Sequence, residues 1–129
     1  TIVNEDKIDS LKNEVEYVNG RWPTTSNCGT RILKTLDHMN IIKAYETFHA
    51  RDSRKLMIVM ELCMGGDLFS RIPYDEPTAA DVTRQILSAV SYIHDRRIVH
   101  RDFKFENIIF ESRQPQSLIK VIDFGLSKE

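Results

Sequence analysis

The stretch from His100 to Asn107 constrains this chain more than any other, because it packs His, Arg, Asp, Lys, Glu and Asn side chains together with only Phe103 and Phe105 between them. Such a loop cannot form a core and must be carried by what flanks it. Before it, Thr78-Ala79-Ala80-Asp81 offers a capping hydroxyl followed by an acid three residues later. Val82, Ile86, Leu87, Val90 and Ile93 then recur at helical spacing, which predicts a helix from Thr78 to near Asp95. After it, the short β-branched runs Ile108 to Phe110 and Leu118 to Ile122 are separated by Ser112-Arg113-Gln114-Pro115-Gln116, which predicts a hairpin. The polar loop is therefore mounted between a helix and a sheet.

Upstream, Lys7 to Glu16 places Ile8, Leu11 and Val15 on one face of an amphipathic helix. Asn19-Gly20, Trp22-Pro23 and Cys28-Gly29 then punctuate the chain, so Tyr17 to Arg31 reads as a loop or insert. Ile32 to Leu36 resumes the apolar pattern. Ile41 to His49 and Leu56 to Leu62 read as antiparallel strands joined through Asp52-Ser53-Arg54, and Gly65-Gly66 stops the second. Pro73 and Pro77 bracket a segment in which a long helix is not expected. The fold class is α+β.

The charge balance excludes more than it proposes. Lys plus Arg number 18 against 19 for Asp plus Glu, a net charge of -1 that gives no general attraction to nucleic acid or anionic membrane. Cys28 and Cys63 lie far apart and match no metal spacing, which favours a reducing, cytoplasmic setting. Apolar runs such as Met57 to Met60 are strand-sized, so no membrane span is expected, and no signal peptide is seen.

The spacing H-R-D-x-K-x-x-N from His100 to Asn107 resembles the catalytic loop of protein kinases, and Lys120-Val121-Ile122-Asp123-Phe124-Gly125 is similar to the strand and D-F-G motif that follow it there. The resemblance implies ATP and Mg²⁺ as cofactors. Asp102 would orient the acceptor hydroxyl and take its proton, Lys104 would lie near the transferred phosphoryl group, and Asn107 and Asp123 would hold the metal. Lys104 in this stretch implies serine/threonine rather than tyrosine acceptors on a protein substrate. Val59 to Leu68 resembles the hinge between the kinase lobes. Met60 would then be the gatekeeper, the Glu61 and Cys63 backbones would bind adenine, Asp67 would reach the ribose and Ile109 would lie under the ring. Phe103 and Phe105 replace the Leu and Pro common in the family, and the loss of that Pro is expected to loosen the loop.

With Ile32 to Ile42 and Asp123 to Glu129 included, the chain resembles the calcium/calmodulin-dependent and calcium-dependent protein kinase group. No D-x-D-x-D-G loop occurs, so calmodulin or EF-hand regulation would lie outside this segment. The implied architecture is a partial two-lobed fold: residues 1–62 as part of the N-lobe with an insert at 17–31, residues 63–67 as hinge, and residues 68–129 as the first part of the C-lobe. No G-x-G-x-x-G loop, V-A-I-K lysine or A-P-E motif is present, so this segment alone is expected to be inactive. Glu14 becomes the candidate partner of the family's lysine when Tyr17 to Arg31 is treated as an insert, whereas a gapless alignment puts Gly29 there. A pseudokinase or scaffold module, or a gene-model fragment, stays open as an alternative.

Overall fold

The computed structural model describes residues 28–49 and 56–128. Glu14, the helix expected over Lys7 to Glu16 and the connection Asp52-Ser53-Arg54 lie outside these residues. In chain order the elements are helix α1 (Cys28–Thr35), strands β1 (Ala44–His49) and β2 (Leu56–Met60), helix α2 (Glu76–Asp95), and strands β3 (Ile108–Phe110) and β4 (Ile119–Val121), with short 3₁₀ turns at Phe69–Arg71, Phe105–Asn107 and Phe124–Leu126. The two strand pairs are both antiparallel, as their turn chemistry predicts.

The β3–β4 hairpin organises the rest, because both of its edges are paired. On one side the chain from Met64 to Leu68 runs along β3: Met64 N–H donates to Glu111 O, Gly65 N–H to Phe110 O, Phe110 N–H to Gly66 O and Leu68 N–H to Ile108 O, at 2.8–3.0 Å. On the other, Val121 N–H donates to Asn40 O at 2.9 Å and Ile42 N–H to Val121 O at 3.0 Å. Strand β1 therefore starts at Ala44 and not at Ile41, since the amide of Ile42 is already spent on β4.

Helix α2 presents Val82, Gln85, Ala89 and Ile93 as one buried stripe against this layer, while Leu87, expected to face inward, is 61% exposed. Its N-cap is Asp75, which accepts from Thr78 N–H at 3.0 Å, and not Thr78 itself. Pro77 sits inside the first turn, where no amide donor is needed, so the helix begins earlier than the capping pattern suggested. The Asp75 carboxyl is held below its ordinary value chiefly by its bonding to Thr78. The helix ends at Asp95, as expected, with Arg97 in the left-handed region (φ 59°) and its N–H donating to His94 O.

One buried polar node joins α2, β4 and the turn at Asn40. Gln85 Oε1 accepts from Asn40 Nδ2 at 2.8 Å and from Ile119 N–H at 2.9 Å, and all three residues are almost fully buried. Helix α1 covers the other end, burying Ile32, Leu33 and Leu36 while Arg31, Lys34 and Thr35 face solvent. It begins at Cys28, so Cys28 to Arg31, assigned above to an insert, are helical. Glycine at position 29 explains how: a Cβ there would meet the Phe124 carbonyl oxygen at 1.7 Å, a distance no side chain tolerates. The helical cost of that Gly is accepted in exchange for backbone contact with Phe124–Leu126.

Gln85→Leu should therefore destabilise the fold by about 2–4 kcal/mol, since two buried N–H donors lose their acceptor, and Gln85→Glu should not rescue it at neutral pH, because Gln85 Nε2 also donates to Asp81 Oδ2 at 2.7 Å and a buried carboxylate there would face a second one; denaturant unfolding of both variants measures the losses. Gly29→Ala carries a sign test. Ala is the better helix former by about 1 kcal/mol and would stabilise an open helix, but overpacking against Phe124 should instead lower stability by about 1–3 kcal/mol. A rise in melting temperature would mean the contact is absent.

Candidate active site

The geometry of the hairpin decides which polar residues meet. Asn107 directly precedes β3 and Asp123 follows β4 after Ile122. In an antiparallel pair those two positions fall at the same end, opposite the connecting turn. The ladder continues there, with Ile122 N–H donating to Asn107 O at 2.9 Å.

Asn107 is buried, and its side chain reaches back along the loop. Its Nδ2 donates to Asp102 Oδ2 at 2.8 Å and to Asp102 O at 2.9 Å. Lys104 Nζ lies 3.0 Å from the same Asp102 oxygen. The Asp102 carboxyl is held below its ordinary value, first by the hydrogen bond from Lys104, with burial working the other way. Lys104 is correspondingly raised, chiefly by Asp102, with the charge of Asp123 adding to the effect. Asp102, Lys104, Asn107 and Asp123 thus share one electrostatic neighbourhood.

His100 fixes this loop from beneath. It is 1% exposed; its Nε2 donates to Ile122 O at 2.9 Å and its Nδ1 accepts from Asp102 N–H at 3.3 Å. Its ring also packs against Phe103 and edge-on against Phe124, each at 4.7 Å between centroids. Arg101 adopts φ 68° and its Nε donates to Leu126 O at 2.6 Å, tying the loop to the segment after Asp123. Phe105 opens a 3₁₀ turn. Its 3₁₀ turn is closed by Asn107 N–H donating to Lys104 O at 3.0 Å, and the ring is half exposed.

Asp123 itself lies in the left-handed region (φ 58°, ψ 72°), an uncommon conformation for a residue with a side chain. Its Oδ1 accepts from Gly125 N–H at 3.1 Å, which steadies that turn. The donor set fits Mg²⁺. Asn107 has committed its amide nitrogen to Asp102, so its carbonyl oxygen is what remains for a cation, and Asp123 adds a carboxylate. Mg²⁺ takes few protein ligands and keeps several waters. Among the described residues no group of three or more His, Cys, Asp and Glu side chains is arranged to hold a metal.

The other expected nucleotide contacts lie along the segment paired with β3. Asp67 bridges Ile109 antiparallel, and its Oδ1 accepts from Ser70 N–H at 2.8 Å. Ile109 is partly buried beside it. Among the described residues neither the Glu61 carbonyl nor the Cys63 amide is engaged by another backbone group. Met60 ends β2 opposite Ala44 and is 45% exposed. Cys63 is a free thiol, pushed up to about 11 by burial. Glu61 has a second role that motif reading missed. Its side chain forms a largely buried ion pair with Lys120 at 3.0 Å and accepts from Lys43 N–H at 2.6 Å, linking the residue before β1, this segment and β4. Lys120 stands in an otherwise β-branched run, and a lysine inside a strand bound for the core was the one signal that a partner was needed.

Comparison with known proteins agrees with this geometry. Residues 11–129 match the family model "Protein kinase domain". The chain is 45% identical over 100 residues to calcium-dependent protein kinase 3 of Plasmodium yoelii yoelii, covering 74% of this chain and 18% of that protein. It is 40% identical over 126 residues to calcium/calmodulin-dependent protein kinase type 1 of Macrobrachium nipponense, covering 95% and 32%. It is 46% identical over 101 residues to the human calcium/calmodulin-dependent protein kinase type IV, covering 75% and 21%. The chain therefore spans between 18% and 32% of the length of these relatives. With a family match that runs from residue 11 to the last residue and takes in the His100–Asn107 loop and the Asp123–Gly125 turn alike, the chain belongs to the protein kinase domain family.

Proposed function

We propose that the protein containing this chain transfers the γ-phosphoryl group of ATP to serine or threonine hydroxyls of protein substrates, with Mg²⁺ held by Asn107 and Asp123. The observation that carries this reading is the convergence of Lys104 and Asn107 on one carboxylate oxygen of Asp102, with the charge of Asp123 felt at Lys104. Phosphoryl transfer depends on positioning and charge neutralisation rather than covalent chemistry, and this cluster supplies both.

In this reading Asp102 stays ionised at neutral pH because Lys104 and Asn107 both donate to it, and so can orient an acceptor hydroxyl and receive its proton. Lys104 is placed to share itself between Asp102 and the phosphoryl oxygens. When bound, Mg²⁺ would neutralise phosphate charge. The backbones of Glu61 and Cys63 would receive the adenine edge, Met60 would border its pocket, Ile109 would lie under the ring and Asp67 would reach the ribose. Serine/threonine preference rests on Lys104 and on the resemblance to the calcium/calmodulin-dependent kinase group. Calcium or calmodulin control would act through regions beyond this segment, and a cytoplasmic location follows the reduced-cysteine reading.

A second reading, a binding module with an impaired nucleotide site, is favoured by one observation: the helix face that abuts Phe124 and Gly125 presents Gly29, where no carboxylate can stand. The two readings separate in the full-length protein. On the kinase reading, Asp102→Asn should lower peptide phosphorylation by about a hundredfold or more while an ATP analogue still binds, and Asp123→Ala should abolish the magnesium dependence of that binding. Binding of the analogue that never depends on magnesium would support the impaired module instead.

A further inference from the structure

Resting on the kinase reading, we propose that Arg71 is a positioning residue for the nucleotide, acting through the backbone of the segment that would hold adenine and ribose. Arg71 touches neither Asp102 nor Asp123 in any contact the structure shows. Its guanidinium instead fills a socket of carbonyl oxygens. Nε and Nη2 donate to Gly65 O at 3.2 and 3.1 Å, Nη2 also donates to Ser112 O at 2.5 Å, and Nη1 donates to Gln114 O at 3.0 Å. The plane lies over the Phe110 ring, 3.7 Å from its centroid. Three carbonyls from two chain segments thus converge on one planar cation, a geometry that a fork of fixed N–H donors satisfies and a lysine ammonium does not.

The position of the socket gives it a function beyond stability. Gly65 lies between Cys63 and Asp67, the two residues assigned to adenine and ribose. The backbone there approaches the hairpin so closely that a Cβ on Gly65 would meet Ser112 O at 2.2 Å. Gly66 follows with φ 76°, turning the chain so that Asp67 can bridge Ile109. Arg71 closes this arrangement from outside. The 3₁₀ turn that carries it, Phe69–Arg71, is tied back to Asp67, whose carboxylate and carbonyl both accept from Ser70, the carbonyl from Ser70 Oγ at 2.6 Å. The residue assigned to the ribose and the residue that grips Gly65 are therefore coupled through Ser70 of one short turn. Releasing the guanidinium frees the Gly65 carbonyl, and with it the spacing between Cys63, Asp67 and Ile109, while leaving the Asp102 cluster untouched.

The test uses the full-length protein, with KM for MgATP, KM for peptide and kcat measured beside the melting temperature for Arg71→Met and Arg71→Lys. Arg71→Met should raise KM for MgATP about tenfold, the loss of roughly one charge-assisted hydrogen bond's worth of binding, with kcat and peptide KM within about twofold of wild type. Arg71→Lys keeps the charge but not the fork, and should show a smaller rise in the same parameter. An unchanged KM for MgATP in either folded variant, even with a lower melting temperature, would reduce Arg71 to a structural clasp and overturn the proposal. Should Arg71→Met fail to fold, Arg71→Lys decides. Direct binding of a fluorescent ATP analogue keeps the two readings apart: a wild-type protein that binds the analogue without transferring phosphate loses the kinase reading, whereas the affinity ratio of wild type to variant still judges Arg71.

Discussion

A single backbone hydrogen bond, from Ile122 N–H to Asn107 O, sets the relation on which the candidate site depends. It extends the β3–β4 ladder beyond its last paired residues, and so brings the end of one polar loop and the start of the next turn to a fixed separation. Asn107 can then spend its amide nitrogen on Asp102 while standing next to the strand that delivers Asp123. His100 reinforces the same junction from below by donating to the carbonyl of that very Ile122. Backbone, not side-chain, geometry aligns these groups, which is why they can belong to residues twenty or so positions apart without a shared secondary-structure element.

The hairpin in turn owes its position to partners on both edges. Edge amides left open would cost free energy or invite association. Here one edge is closed by the chain from Met64 to Leu68 and the other by Asn40 and Ile42. The hairpin is thereby the common border of the His100–Asn107 loop, the turn at Asp123 and the segment from Met64 to Leu68. Gln85 of α2 and the Glu61–Lys120 pair anchor it from two further directions.

Much of this was legible in the residue order and some was not, for identifiable reasons. Short apolar β-branched runs located β2, β3 and β4, and a period-3.6 stripe located the end of α2, because those elements bury apolar side chains in the ordinary way. The start of α2 was misplaced because Asp75 and Thr78 are both good caps, and only the tolerance of the first turn for Pro77 chooses between them. Helix α1 was begun late because Gly29 has poor intrinsic propensity, and its value lies in a contact with Phe124 more than ninety residues away in sequence. The motif spacing picked out Asp102, Lys104, Asn107 and Asp123 as residues that belong together. It could not reveal Arg71 or the side-chain role of Glu61, since both bind main-chain groups or a partner far along the chain, and a carbonyl acceptor leaves no mark in the amino-acid order.

The thiol of Cys63 draws one further consequence from this packing. Burial, with the negative charges of Glu61 and Glu111 nearby, pushes it up to about 11. The sulfur atom therefore stays protonated through the physiological range, and the thiolate that peroxides and electrophiles attack is scarce. A segment that would cradle adenine thus holds its one thiol in a quiescent form, so oxidative conditions that modify acidic thiols elsewhere should spare Cys63.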